Sequence, residues 1–254
     1  MTDVKLNSIR PVARETLRER VYEEVRAALM EGKFKPGEPL RLQAVADAVG
    51  TSLMPVREAL RRLVAERALV TTHSRAMLVP FPTEAEFVDI METRLQLEPF
   101  AARLASRNFP AKQLSELENL HQRMLSSEKP SDYLRYNQRF HFGVYKAADR
   151  PILLSHIESL WLHIGPLLNH LLGQMTLRAA QDRVELTADR HRQLLDALKA
   201  GDDRASARAV AEDIKGAGKV ILDLIRSDAV ERGSVQPSSA SRTQPASAGR
   251  EIAL

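Results

Sequence analysis

Between Gly50 and Arg67 the chain ends one short helical pattern and begins another whose two faces are chemically unlike. Val56, Leu60, Leu63 and Val64 recur at helical spacing as an apolar stripe, while Met54, Arg57, Glu58, Arg61 and Arg62 fall on the other side. Ser52 stands where an N-cap is needed. Pro55 falls in the first turn, where an amide hydrogen has no intrahelical acceptor to lose. Such a helix has to lay its stripe on a partner, and the flanking sequence offers one. Leu17, Val21, Val25, Ala28 and Leu29 mark a helix over 16–31 ending at Gly32, KFKPGEPL reads as a turn, and a short helix follows over 42–49. Downstream, β-prone runs at 69–72 and 77–79 flank the polar tip His73-Ser74-Arg75-Ala76, the pattern of a two-stranded hairpin. Helix, helix, three-residue turn, helix, hairpin is the plan of a winged helix-turn-helix.

The charge distribution suggests what that plan is for. The net charge is +4, and residues 1–80 hold 14 Lys/Arg against 10 Asp/Glu, so the positive excess lies in the first third of the chain. A local basic excess favours a polyanionic partner. An exposed helix with arginines at i, i+4 and i+5 can enter the major groove and bind phosphate or the edge of guanine. The candidate DNA contacts are Arg41, Ser52, Met54, Pro55, Arg57, Glu58 and Arg61, with His73 and Arg75 placed as wing residues. The competing reading is a solvated basic face with no ligand.

From Thr83 onward the periodicity is helical throughout. Thr83 and Glu86 form a capping box for a helix to about residue 107. Further helices are expected over 111–127, 131–148, 151–172, 177–200 and 203–227, with Pro110, Pro130 and Pro151 near their starts. The expected fold is therefore mainly α: a flexible N-terminus at 1–13, a winged helix-turn-helix over 14–80, an antiparallel all-α bundle over 83–229 and a disordered tail over 231–254. At 254 residues, each of the two domains is long enough to bury its own core. The absence of cysteine excludes disulfides and thiolate zinc sites and fits a reducing cytoplasm. No signal peptide or membrane span is expected.

The segment PGEPLRLQAVADAVGTSLMPVREALRRLVAERAL resembles the DNA-binding domain of the GntR family, most specifically at Pro55-Val56-Arg57-Glu58-Ala59-Leu60 preceded by Ser52. The resemblance implies that the helix bearing Arg57 reads an operator and that Arg57 touches the DNA backbone. Two positions depart from it: Leu53 stands where the family commonly has arginine, and Ala76 where the wing usually has glycine. METRLQLEPFAARLA, YNQRFHFGVYKAADRPIL and HRQLLDALKAGD, in that order, resemble the FCD effector domain of the FadR subfamily over about residues 83–227.

Within the helical region, Asn137 and His141 are four apart and share a helix face with Val144 and Ala148. His191 opens the apolar run Leu194-Leu195-Leu198, and Asp213 adjoins the stripe Val210-Ile214-Ala217-Ile221. Nitrogen and oxygen donors converging from different helices are how bundles build metal sites, and imidazoles with a carboxylate suit zinc, nickel or manganese. The resemblance implies a divalent metal held by an aspartate and three histidines, corresponding here to Asn137, His141, His191 and Asp213. A hydrogen-bonded cluster without metal is the alternative.

Arg94 and Glu98 interrupt the apolar stripe Phe87-Met91-Ala101-Ala105. They are either an i,i+4 ion pair or, through Arg94, the anchor of a bound carboxylate. The resemblance favours an organic-acid effector. His156, His163 and His170 repeat every seven residues, about 10 Å apart along a helix, too far to share one ion. His163 is the candidate to line the effector pocket, and Trp161 is expected in the core.

The resulting expectation is a transcriptional regulator, of repressor type. It would act as a homodimer on two-fold symmetric double-stranded operator DNA and respond to a small organic acid. A metal-dependent hydrolytic enzyme and a helical interaction scaffold are the alternatives. Against the enzyme stands the absence of HExxH, GxSxG, a phosphate-cradling glycine loop and a cysteine nucleophile.

Overall fold

The computed structural model describes residues 17–72, 76–174 and 177–234, with side chains described in these segments outside 171–186 and 228–234. The head begins with α1 (Leu17–Met30), whose buried Val21, Tyr22, Val25 and Leu29 pack on the stripe of α3 (Leu53–Ala65). That stripe is Val56, Ala59, Leu60 and Leu63, with Val64 half-buried at its margin. Between them, α2 (Leu42–Val49) stops because Gly50 adopts φ 65 and turns its amide back onto the carbonyls of Ala46 and Asp47.

The wing contains more than the expected hairpin. β2 (Val70–Thr71) and β3 (Met77–Leu78) pair antiparallel, as the sequence suggests, but β1 (Pro39–Leu40) adds to the other edge of β3, giving the order β1-β3-β2. The stretch read only as a turn therefore ends in a strand. Gly37, at φ 81, reverses the chain so that its amide reaches Val79 O at 2.8 Å, and Val79 returns a 3.0 Å bond to Glu38 O. Two residues are too short a strand to show alternation.

The bundle comprises α4 (Glu84–Ser106), α5 (Ala111–Leu125), α6 (Pro130–Ala147), α7 (Pro151–Gln174), α8 (Leu177–Ala200) and α9 (Asp203–Ser234). The Thr83–Glu86 capping box that opens α4 is formed in both directions. α9 continues to Ser234, past the expected domain end at 229 and into the segment read as tail, through the good helix formers Glu231 and Arg232. Residues 235–254, and the N-terminal segment expected to be flexible, lie outside the described residues.

The two parts share one continuous apolar core from Val21 to Ile225, although each is long enough to bury a core of its own. Their joint is the crossing of α1 on α7. A Cβ on Gly165 would collide with the carbonyl oxygens of Leu29 and Met30, and one on Gly32 would stand 2.7 Å from Gly165 O. The two main chains are thus in direct contact, and an Arg26–Glu158 ion pair of 2.8 Å lies beside them.

Candidate functional site

Two surfaces carry chemistry, one on the head and one inside the bundle. On the head, burial of the α3 stripe turns Met54, Arg57, Glu58 and Arg61 outward, and Met54 is 63% exposed. Arg57 and Arg61 form no ion pair among the described residues. Ser52 is the N-cap by backbone geometry, yet its side chain makes no capping bond, so its hydroxyl is left for another partner. Arg57 borders two grooves, one shared with Ser52 and Met54 and the other shared with Arg61 and the wing residues Thr71 and Met77. Pro55 is half-buried in the first turn, and Arg41 is exposed at the start of α2. Glu58 leans toward Arg18 at 3.7 Å. Arg62 departs from expectation. Its guanidinium lies 3.6 Å over the Tyr22 ring and bonds Glu19 and Glu66, so it braces α3 on α1. His73 and Arg75 lie outside the described residues.

In the bundle, His141 of α6, His191 of α8 and Asp213 of α9 converge, with donor atoms all within 4.8 Å of one another. His141 Nε2 stands 3.2 Å from His191 Nε2 and 3.2 Å from Asp213 Oδ2. Two ligands bound about 2.0–2.2 Å from a common ion at ordinary coordination angles are themselves about 3–3.5 Å apart, so these spacings suit a shared cation. Asn137, one turn before His141, lines the same cavity, as do Arg94, Trp161 and Thr187. The cavity is about 30 Å³, room for water but not for a metabolite without movement.

The surrounding hydrogen bonds determine which nitrogen of His141 is free. The Tyr145 hydroxyl is 2.6 Å from Glu98 Oε2 and 3.2 Å from His141 Nδ1. Its one proton goes to the carboxylate, so His141 donates from Nδ1, and Nε2 is the nitrogen turned toward Asp213 and His191, bare whenever the ring carries a single proton. Burial, then the Glu98 carboxylate, raises the Tyr145 pKa well above its usual value and keeps that proton in place. Burial pushes the His191 imidazole down to about 3, against the pull of Asp213, so it is neutral as a metal ligand must be. The His191 Nδ1 atom is buried with no hydrogen-bond partner among the described residues. A bare nitrogen facing a carboxylate oxygen repels it unless a proton or a metal ion lies between. The donor set therefore fits a divalent metal.

Arg94 grips Glu98 in two bonds of 2.6 and 3.2 Å, with both side chains buried. Burial alone would lower the Arg94 pKa, but the Glu98 charge outweighs it and holds the guanidinium charged. The ion-pair reading is thus realised in the structure, and Arg94 also reaches the cavity wall.

Comparison with known proteins assigns both parts of the chain. Residues 17–79 match the family described as bacterial regulatory proteins, gntR family, and residues 89–216 match the FCD domain. The chain is 31% identical over 195 residues to the HTH-type transcriptional regulator McbR of Escherichia coli, covering 76% of this chain and 86% of McbR.

The chain belongs to the GntR family.

The solved structure of E. coli McbR/YncC superposes with a TM-score of 0.75 at 29% identity, over 82% of this chain and 98% of McbR. A probable D-xylose utilization operon transcriptional repressor of Paenarthrobacter nicotinovorans is 27% identical, over 80% of this chain and 88% of its own. This GntR-family protein is a DNA-binding transcriptional regulator with a ligand-binding FCD domain, and the enzyme alternative is set aside with that assignment. Among the described residues, no helix is long and apolar enough to cross a membrane.

Three residues of the regulator, two histidines and a tyrosine, differ from the sequence picture. His163 does not line the cavity with Arg94; Trp161, Ile164 and Leu168 do, and the α7 rotation points His163 at the head instead. His121 of α5 was not singled out. It is buried with its ring centroid 5.9 Å from that of His191 and its Nδ1 without a hydrogen-bond partner among the described residues, and its stripe Leu117-His121-Met124 was legible as i, i+4, i+7. Tyr145 was also missed, though it follows His141 by one turn just as His141 follows Asn137.

Proposed function

We propose that this regulator binds its operator as a homodimer in the cytoplasm, as a repressor whose DNA affinity is set by a small organic acid and a divalent metal. The observation that carries the DNA reading is the outward face of α3. Arg57 and Arg61 are exposed there, with no ion pair among the described residues, while the opposite face is buried in the head. Arg41, Ser52, Met54, Pro55 and Glu58 surround them and set the approach to the duplex. A dimer would present two such faces to half-sites one helical turn apart.

In the bundle, His141, His191 and Asp213 would hold zinc, nickel or manganese, with Asn137 as a weaker neutral donor. The metal would supply a positive centre for the carboxylate of an effector, and Arg94 would face the same carboxylate from α4. The small volume of the cavity supports coupling. An acid cannot enter without displacing side chains such as Trp161, Ile164 or Leu168, and all three lie on α7, the helix whose other side meets the head at Gly165. Movement of α7 would therefore reach α1 and, through it, α3. The operon repressors among its relatives support release of DNA by a metabolite as the mode of control.

The test is fluorescence anisotropy with DNA from the promoter beside its own gene, titrated with protein at several salt concentrations. The reading requires affinity that falls steeply with salt and is lost in the Arg57→Ala, Arg61→Ala double variant. Unchanged affinity in that variant would overturn it. Native mass spectrometry of gently purified protein reports subunit number, bound ion and co-purified acid together. A monomer without metal would remove the finer part of the proposal.

A further inference from the structure

A second cleft, of about 510 Å³, lies where the head meets the bundle and shares no lining residue with the cavity at His141. Val64, Leu69 and Val79 of the head form one wall, and Ile90, Leu162 and Pro166 of α4 and α7 form the other. This is the size and setting of a small-molecule site: a few hundred cubic ångströms, mostly apolar, at a domain interface, with few polar groups.

Those polar groups narrow the ligand class. His163 is half-buried in the cleft and makes no hydrogen bond among the described residues. Burial, then the nearby Arg67 charge, lowers its pKa below the ordinary value. It therefore offers a neutral imidazole, a donor at one nitrogen and an acceptor at the other. Glu86 is occupied by its capping bonds to the Thr83 amide at 2.8 Å and hydroxyl at 2.9 Å. Arg67 and Asp89 are exposed at the rim. Two carboxylates against one guanidinium give no net pull on an anion.

We propose that this cleft binds a small neutral aromatic or alicyclic molecule whose hydroxyl bonds His163 while its apolar body fills the space between head and bundle. Such a ligand touches the base of the wing and α7 at once, so its occupancy fixes how the head sits on the bundle. The site is separate from the metal cavity and does not depend on an acid effector there.

The experiment titrates the full chain with 1-naphthol as the probe, followed by calorimetry and saturation-transfer NMR. Saturable binding is expected. Ile90→Trp, which fills the cleft, and Val70→Trp, which covers it from a strand residue already 42% exposed, should each weaken it at least about tenfold. His163→Ala should weaken it about threefold to tenfold, the loss of one hydrogen bond. Asp213→Ala, at the other cavity, should not abolish it. Circular dichroism certifies the fold of each variant, and the exposed position of Val70 keeps the test open if Ile90→Trp fails to fold. Absence of saturable binding to wild type, as when a second copy of the chain closes the cleft, overturns the proposal. So does binding indifferent to both tryptophans, or binding abolished by Asp213→Ala.

Discussion

Arg61 and Arg62 are neighbours in sequence, but one residue's rotation around α3 leaves the first in solvent and lays the second over Tyr22. The pattern of charges could not separate them, because Tyr22, Glu19 and Glu66 come from outside the motif. Losing both free arginines, Arg57→Ala with Arg61→Ala, should cost about 2–6 kcal/mol of DNA binding and reduce the slope of log affinity on log salt by up to about 2. Anisotropy at four salt concentrations measures both quantities. Arg62→Ala should act chiefly on head stability. In the bundle, helical spacing put Asn137 and His141 on one face and the family resemblance added His191 and Asp213, whereas the partner that sets the His141 tautomer was not singled out. Tyr145→Phe removes the acceptor for His141 Nδ1–H and should lower metal affinity about 10–100-fold with the fold intact. Competition against a chromophoric chelator measures this, and the rise in melting temperature on adding zinc should shrink in parallel. Equal affinity in the two proteins would mean that Tyr145 does not position the ligand.

At the scale of elements, α7 has three different neighbours. Trp161, Ile164 and Leu168 face the cavity, Glu158 and Gly165 face α1, and Leu162, His163 and Pro166 face the cleft below the wing. The helices were readable because apolar spacing, prolines at their starts and the Thr83–Glu86 box are local signals. β1 was not, since a two-residue strand exists only by pairing with β3. Nor was the direction of His163, since helical spacing says which residues share a face but not which neighbour meets it. The α1–α7 crossing gives the sharpest expectation here. Gly165→Ala places a methyl against main-chain carbonyls that cannot turn aside, and should destabilise the protein by about 1–3 kcal/mol. Urea denaturation reads the loss, and an unchanged midpoint would show that the crossing opens in solution.

Over the whole molecule, the shared core means that head and bundle should unfold together, an outcome that chain length alone did not suggest. Acid should weaken this unit in a defined direction. His163 has its pKa lowered by burial and then by Arg67, with Glu86 opposing. Between the ordinary value of 6.5 and its lower folded value, the unfolded chain takes up a proton that the folded one refuses, so stability falls as pH drops through that window. His163→Asn should flatten the fall below pH 6.5, measured as the pH dependence of the urea midpoint; identical profiles would place His163 in water. At the joint, the meeting of Gly32 with Gly165 has a mechanical meaning. Peptide planes that touch leave no torsion to absorb strain, so a shift of the long helix by even a fraction of an ångström must either be transmitted to the head at full stroke or break the seat altogether.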